Sequence, residues 1–534
     1  VRIGVDVGGT NTDAVLIAGG RVVASTKQPT SADVSSGVTA AIGAILAQAK
    51  VSANDVGAVM IGTTHFTNAL VERDRLDRVG IIRLASPSGE ALPPMTGWPA
   101  ALVDRIAGET FLLPGGYEVD GREIAPLDEA AVRAATADCR ERGITSIAVS
   151  CAFAPINAAM EEWAAAIIAD AHPDAYVSLS HNVGRLGLIE RENGTILNAA
   201  LATLAQHVMA SLERALAALG IAAPLYISQN DGTLISAAEA ARYPVLTIGS
   251  GPTNSMRGAA FLTGVENGIV MDVGGTTCDI GVLAGGYPRE SSIAVDIGGV
   301  RTNFRMPDIL AIGLGGGTRI HFGATDDGVT IGPDSVGYRL TQDAFLFGGS
   351  TLTTSDIAVA AGKASFGDPA LIPALTPSLS SAILTRIADM LADGIDRMKT
   401  QPGDVTIIAV GGGHFLIDDD LKGAAKVVRP EHASVANAVG AAIAQVGAQA
   451  DRIVDYDAEP RAAALAAMRE TLLARVVAAG ATPETAEIVD MDEVFLSYLP
   501  GRSAQLRMKA VGSLADADAD GATAAPRTEA RHVH

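Results

Sequence analysis

The chain has 534 residues, 48% apolar and 19% charged, a composition that builds packed cores and excludes a disordered polymer; this length divides into about two to four domains. Its 60 acidic and 39 basic residues leave a formal charge of −21, with no Lys/Arg-rich run, which excludes the basic footprint of a nucleic-acid binder. Three cysteines, Cys139, Cys151 and Cys278, match neither a C-x-x-C pair nor a zinc spacing, and this odd, low count suits a reducing cytoplasm.

The chain opens on Val1-Arg2-Ile3-Gly4, which reads as a strand rather than a leader. Val1, Ile3, Val5 and Val7 alternate with Arg2, Gly4 and Asp6, the period-2 pattern of a half-buried strand. A Gly-Gly-Thr turn follows, then strands over 14–17 and 21–25. Residues 36–49 read as helix, 58–61 as strand, 64–73 as helix and 79–84 as strand. The stretch 85–127 is rich in Pro and Gly and reads as an irregular insertion. Beyond it come helix 128–142, strand 144–150, helix 160–171, strand 176–179 and a long helical stretch over 194–219. The second half repeats the opening, with strands over 268–273 and 279–283, helix 380–400 and strand 405–410. The alanine-rich segment 433–450 reads as a buried helix, too polar for a membrane span. These elements predict an α/β fold of two lobes. The expected division is 1–190, 191–450, a C-terminal extension over 451–513 and a disordered tail over 514–534.

An internal repeat carries the argument. Asp6-Val7-Gly8-Gly9-Thr10-Asn11-Thr12-Asp13 aligns with Asp272-Val273-Gly274-Gly275-Thr276-Thr277-Cys278-Asp279, with six of eight positions identical. Each copy ends one apolar strand and starts another. A Gly-Gly turn lets backbone N–H groups approach an anion with no Cβ in the way, and Thr10, Thr12, Thr276 and Thr277 add hydroxyls. Asp6 and Asp272 are oxygen donors suited to Mg²⁺. Two such hairpins facing each other would hold a triphosphate, and Gly411-Gly412-Gly413 after the strand 405–410 would let an adenosine lie against the backbone. A single hairpin of this kind is as readily an ordinary turn; the ordered pair with the later glycine run is specific. No G-x-x-x-x-G-K-[ST] loop competes with it. Asp13 and Asp279 are expected to tie down their hairpins by backbone hydrogen bonds. Ser250-Gly251-Pro252 opens a helix suited to seating a nucleotide, and His414 reads as a surface residue.

The repeat resembles the two phosphate motifs of the actin, Hsp70 and sugar kinase superfamily. Gly62-Thr63-Thr64 with Thr67-Asn68-Ala69-Leu70 resembles, more narrowly, a segment of the hydantoinase A/5-oxoprolinase family, as do the runs 115–121, 250–252, 315–318 and 332–337. The resemblance implies two actin-like (ribonuclease H-like) lobes with mixed sheets around a nucleotide cleft. It implies ATP and Mg²⁺ as cofactors and phosphorylation of the carbonyl oxygen of a small cyclic amide (a hydantoin, oxoproline or other lactam) that drives ring opening. It also implies a hydantoinase B-like partner subunit or a homo- or hetero-oligomer. Asp6 and Asp272 would serve catalysis and metal binding, Gly8 to Thr12, Gly274 to Thr277 and Gly411 to Gly413 the nucleotide, and Thr64, His65, Asn68 and Gly316 the substrate. His65 and Phe66 depart from the small apolar residues usual in that segment. A related carboxylase subunit, a small-molecule kinase and an ATP-gated switch share the same motifs and stay open. No G-x-S-x-G elbow and no histidine cluster suggests hydrolytic machinery of another kind.

Overall fold

The computed structural model describes residues 1–8, 11–29, 34–291, 295–303, 306–322, 329–496 and 501–514. Strand Arg2–Val7 pairs antiparallel with Asn11–Ala18 and parallel with Ala58–Thr63. It becomes the seventh strand of a nine-stranded mixed sheet, ordered Glu487–Phe495, Ser503–Gly512, Val446–Asp455, Leu234–Ser236, Leu225–Ser228, Ala58–Thr63, Arg2–Val7, Asn11–Ala18 and Arg21–Pro29. Its buried face carries Ile3, Val5 and Val7 against helix Val34–Ala49, which contributes Val38, Ala41, Ile42 and Ile45 at helical spacing.

A second mixed sheet is ordered Tyr287–Pro288, Cys278–Ala284, Gly268–Val273, Val405–Val410 and Ala424–Val428, with Ile309–Ile312 also pairing to Cys278–Ala284. Helix Pro377–Met398 covers it through Ile383, Ile387, Leu391 and Ile395, a strict i, i+4 stripe. Pro377 stands at the first helical position and the Thr376 side chain caps Leu379 N–H. A third, all-parallel sheet is ordered Ala107–Pro114, Val79–Ser86, Ser146–Cys151 and Tyr176–Leu179.

The α/β architecture of two lobes with mixed sheets is the expected one, and four local expectations change. Strand Ala107–Pro114 lies inside the segment read as irregular; it is a half-exposed edge strand, so its sequence lacks clean alternation. The helical stretch 194–219 is two helices, Leu188–Ala200 and Ala202–Ala218, bent by 54°. The segment 433–450 is helical only over Ala436–Ile443, and Val446 starts a strand of the first sheet. Residue 190 is not a change of sheet: Leu225–Ser228 and Leu234–Ser236 extend the first sheet, and so do the C-terminal strands, under helix Arg461–Ala478. The tail expected over 514–534 lies outside the described residues from 515 onward. Among the described residues no single helix is long and apolar enough to cross a membrane, and all three cysteines are free and buried.

Two helices join the lobes. Ala436–Ile443 packs on the first sheet through Ala438, Val439 and Ala442, and Ser250–Thr263 on the second through Met256 and Ala259. They cross with their backbones touching: a Cβ on Gly440 would stand 1.8 Å from Asn254 O, and one on Gly258 would stand 1.9 Å from Ala436 O. That close crossing sets Asn437 and Ser255 at the floor of the cleft between the sheets.

Candidate active site

The sequence repeat is a structural repeat. In the first hairpin Asp6 pairs with Asp13 and Val7 with Thr12; in the second, Asp272 pairs with Asp279 and Val273 with Cys278. Both turns close alike, Gly8 N–H donating to Asn11 O at 3.0 Å and Gly274 N–H to Thr277 O at 2.9 Å. Each lead strand is flanked on its other side by a parallel strand, which puts Gly62 beside Asp6 and Val410 beside Asp272.

The hairpins bound a cleft of about 410 Å³. Asp6, Gly8, Asn11, Asp13 and Lys27 line one wall, and Asp272, Gly274, Gly275, Thr276 and Gly316 the other; Gly411, Gly412 and Gly413 form its end. Thr12 is not on this surface. Strand alternation turns it with Val7 to the opposite face of the sheet, where it is fully buried. Thr277 is exposed on its turn but outside the cleft lining. Gly9 and Thr10 lie outside the described residues.

The two aspartates interact across the cleft. Burial first, then the Asp13 and Asp272 carboxylates, push the Asp6 pKa up to about 7, against opposing pulls from Lys27 and Asn437. Burial also raises Asp272, partly offset by the Ser255 hydroxyl, which donates to its Oδ2. Asn437 Nδ2 donates to Asp6 Oδ2 at 2.7 Å, while Asp6 Oδ1 is buried without a hydrogen-bond partner. A hard divalent cation between Asp6 and Asp272 fits this arrangement: it would neutralise like charges and give Oδ1 a partner. No group of three or more His, Cys, Asp or Glu gathers among the described residues, so further ligands would be water or phosphate oxygens, as suits Mg²⁺.

Among the described residues Asp13 is tied by a side-chain ion pair and not by a backbone hydrogen bond to its carboxylate. Lys27 Nζ reaches both its oxygens at 2.6 Å from the directly opposed position on the next strand. Among the described residues Asp279 has no such partner: Ala311 stands opposite it, and burial with the nearby Asp272 pushes its pKa up to about 7. At the far end of the cleft, Phe366 and Phe415 stack obliquely, ring centroids 5.5 Å apart, beside Leu340 and Gly337. Lys27, Ser255, Ser355, Phe366, Phe415 and Asn437 are cleft residues that no local pattern had marked. Gly411 has φ +84°, and a Cβ there would meet Asp272 Oδ1 at 2.2 Å, so this turn admits only glycine.

The other expectations divide. Gly316 lines the cleft and its N–H donates to Gly274 O at 2.9 Å, so the run 315–317 braces the second hairpin. Thr64, His65 and Asn68 do not line it. They sit at the shoulder of the first hairpin, Thr64 Oγ1 donating to Val7 O at 3.2 Å and Asn68 Nδ2 lying 3.5 Å from Thr64 Oγ1. His65 Nδ1 is 2.5 Å from Thr63 Oγ1, and burial, helped by Arg75, lowers its pKa to about 4. His414 is half-buried, its Nδ1 donating to Gly411 O at 2.8 Å. Asp356 is buried and caps its helix with Thr353.

The fold and cleft together define a two-lobed α/β protein in which two equivalent Asp-bearing hairpins face each other across one cleft. The chain belongs to the hydantoinase/oxoprolinase family: the family's N-terminal region matches residues 2–171 and its main domain residues 191–398. It is 28% identical over 435 residues to caprolactamase subunit alpha of Pseudomonas jessenii, covering 76% of this chain and 61% of that protein. It is 25% identical over 390 residues to the acetophenone carboxylase gamma subunit of Aromatoleum aromaticum, covering 67% of this chain and 53% of that subunit. The chain therefore spans between half and two thirds of these relatives. Its fold matches the ATP-dependent caprolactamase of P. jessenii (TM-score 0.76, 22% identity, 96% of this chain and 88% of that one). It also matches nucleotide-free acetone carboxylase (TM-score 0.70, 18% identity, the same coverage).

Proposed function

We propose that this protein binds Mg-ATP in the cleft and phosphorylates the carbonyl oxygen of a cyclic amide, so that water can open the ring. The observation that carries the reading is the pair of equivalent hairpins holding Asp6, with its unpartnered Oδ1, against Asp272. Family membership and the likeness to an ATP-dependent caprolactamase support the substrate class.

In this reading the backbone N–H groups of the two glycine turns hold the phosphate chain, and Gly411 to Gly413 with Phe366 and Phe415 hold the adenosine. Lys27, fixed by Asp13, faces the terminal phosphate. Mg²⁺, held by Asp6 and Asp272, would supply charge neutralisation of the phosphates. An amide carbonyl is a poor electrophile. Transfer of the terminal phosphoryl group to its oxygen releases ADP and converts that oxygen into a leaving group. Water then adds to the carbon, the C–N bond breaks with the ring nitrogen leaving as the amine, and a second water hydrolyses the acyl phosphate so formed, releasing inorganic phosphate. Thr64, His65 and Asn68 sit where the acceptor would enter beside the first hairpin, with His65 neutral at physiological pH. A hydantoinase B-like subunit would complete the hydrolytic half of the site, in a homo- or hetero-oligomer.

The test is phosphate release from Mg-ATP across hydantoins, 5-oxoproline and simple lactams, with Asp6→Ala as control. Release stimulated by one cyclic amide and lost in the variant is the expected result; bound ATP with no stimulation by any of them, alone or with a partner subunit, refutes the reading. A carboxylase-type reading is favoured by the acetophenone and acetone carboxylase relatives. It predicts stimulation by a ketone instead.

A further inference from the structure

The strand hairpins are not the only repeat in the chain. Asn254-Ser255-Met256-Arg257-Gly258-Ala259-Ala260 aligns with Ala436-Asn437-Ala438-Val439-Gly440-Ala441-Ala442, with three of seven positions identical. The first run lies in helix Ser250–Thr263 and the second in helix Ala436–Ile443, the pair that crosses between the lobes. The crossing is reciprocal in this alignment. Gly258 abuts Ala436 O, and Gly440 abuts the carbonyl of Asn254, the residue aligned with Ala436.

The residue after each contact carbonyl reaches an aspartate. Asn437 Nδ2 donates to Asp6 Oδ2 at 2.7 Å, and the Ser255 hydroxyl donates to Asp272 Oδ2. Each donor stands on the helix packed against the sheet that carries its aspartate. The other oxygen of each carboxylate lies against a glycine on, or just after, the neighbouring parallel strand. A Cβ on Gly62 would stand 2.8 Å from Asp6 Oδ1, and one on Gly411 would meet Asp272 Oδ1. Both carboxylates are thus held alike, a donor on Oδ2 and a glycine beside Oδ1. Asn437 is itself locked: its Oδ1 accepts Ala438 N–H at 2.8 Å, so its amino group is the part presented to Asp6.

Asp6 and Asp272 carry like charges into one cleft, and each opposes ionisation of the other. A hydrogen bond to an ionised oxygen is about twice as strong as a neutral one, enough to keep a carboxylate from turning away. Because the two donors stand on helices whose backbones touch, the orientation of each carboxylate and its distance from the other are set together. Such a frame suits a cation that demands near-ideal octahedral geometry; Ca²⁺ accepts looser ones.

We propose that Asn437 and Ser255 are paired positioning residues. Each aligns one aspartate, and the reciprocal helix crossing holds the two at the spacing of a single cation of Mg²⁺ size. Both act through an aspartate. The inference rests on the cation assigned to Asp6 and Asp272 in the proposed function, and not on the nucleotide or the cyclic amide.

The experiment is titration of the full chain, without nucleotide, with Mn²⁺ read by electron paramagnetic resonance and with Ca²⁺ read by calorimetry. Near-UV circular dichroism checks the fold of each variant. Asn437→Ala and Ser255→Ala should each weaken Mn²⁺ about tenfold, the worth of one charge-assisted hydrogen bond, and Ca²⁺ less than about threefold. Asn437→Gln, at a half-buried position, keeps an amide but sets it one methylene further out, and should lose as much as Asn437→Ala. The double alanine variant should stay within about threefold of the weaker single one, because a cation released by one carboxylate gains little from alignment of the other, whereas independent contributions would multiply. Wild-type Mn²⁺ affinity in the single variants, equal loss of both ions, multiplying losses, or no Mn²⁺ binding by the wild-type chain overturns the proposal. A fluorescent ATP analogue titrated into the same samples keeps the two readings apart. A wild-type chain that binds Mn²⁺, with these losses in the variants, but no nucleotide refutes only the ATP reading. A chain that binds nucleotide while its Mn²⁺ affinity ignores both substitutions refutes only the positioning.

Discussion

Gly411 and Gly412 are neighbours in one turn, yet alanine at the two positions should fail in opposite ways. Gly411 has φ +84°, and an added Cβ would meet Asp272 Oδ1 at 2.2 Å and Val273 O at 2.4 Å. The left-handed backbone costs a non-glycine about 1–2 kcal/mol, and wedging a methyl against a backbone oxygen adds about 1–3 kcal/mol. Gly411→Ala should therefore lose ~3–4 kcal/mol and drop the melting temperature by ~5–10 °C, taking ATP binding with it by displacing Asp272. Gly412 has no positive φ, and nothing lies within 4 Å of its Cβ position. Gly412→Ala should hold its melting temperature within about 2 °C, or gain slightly from a stiffer unfolded chain. Its methyl would nevertheless project into the cleft where the adenosine is proposed to lie, weakening ATP at least about tenfold, or ~1.4 kcal/mol. Differential scanning fluorimetry with a fluorescent ATP analogue reads both quantities. Wild-type ATP affinity in Gly412→Ala would refute the placement of the nucleotide; wild-type stability in Gly411→Ala would refute the geometry of the turn.

Three further outcomes are expected. The raised Asp6 pKa means that metal-free protein loses stability as pH rises from the ordinary 3.8 through about 7, by up to ~4 kcal/mol. Asp6→Asn should therefore be the more stable chain in EDTA at pH ~8, while Mg-ATP phosphate release falls at least ~100-fold; no gain in urea midpoint would overturn the assignment. Lys27→Met strips the buried Asp13 of its ion pair and should cost ~1–2 kcal/mol, discounted because Lys27 is partly exposed. Adding Asp13→Asn should restore the stability but not the phosphate release, which separates a structural from a chemical role in a double-mutant cycle. His65, lowered to about 4, stays neutral in the fold while the unfolded ring titrates near 6.5, so its contribution is whole above that pH and is lost as pH falls towards 4. Wild type should lose about 2–3 kcal/mol more than His65→Gln between pH ~7 and ~4.5; parallel urea curves would refute it.

The hairpins were legible because everything that makes them is local. Eight residues carry the strand end, the turn and the returning strand, and a duplication repeats them. What closes the cleft is not local. Asn437 reaches Asp6 across 431 positions, and Phe366 meets Phe415 across a helix and a strand. Lys27 lay closer to hand, 14 residues from Asp13 and directly opposite in register, but a lysine on a half-exposed strand looks like any solvated charge. Thr12 was misassigned for a related reason: reading the turn as a loop ignored that the pleat continues to Asn11 and sends its side chain to the back of the sheet. The return of 446–512 to the first sheet had no signature, since strand order is set by which edge stays open once the other strands have paired.

The duplication makes the asymmetry informative. The hairpins pair in the same register, but Asp13 faces Lys27 where Asp279 faces Ala311, and among the described residues the aromatic pair of the cleft is Phe366 with Phe415, on the second lobe's side. A nucleoside triphosphate is itself lopsided, a flat apolar base at one end and concentrated charge at the other. In the proposed complex it fits one way, base on the second lobe and terminal phosphate towards Lys27. That puts the transferred group beside the shoulder carrying Thr64, His65 and Asn68. Moving the cation tests the polarity. Lys27→Ala with Ala311→Lys keeps the net charge and places the lysine at an exposed strand position. Because the base and acceptor sites have not moved, this swap should bind ATP within about threefold of wild type and still lose ~100-fold in phosphate release. Recovery of turnover in the swapped chain would mean that either hairpin can present the terminal phosphate, and the orientation argued from the asymmetry would be wrong.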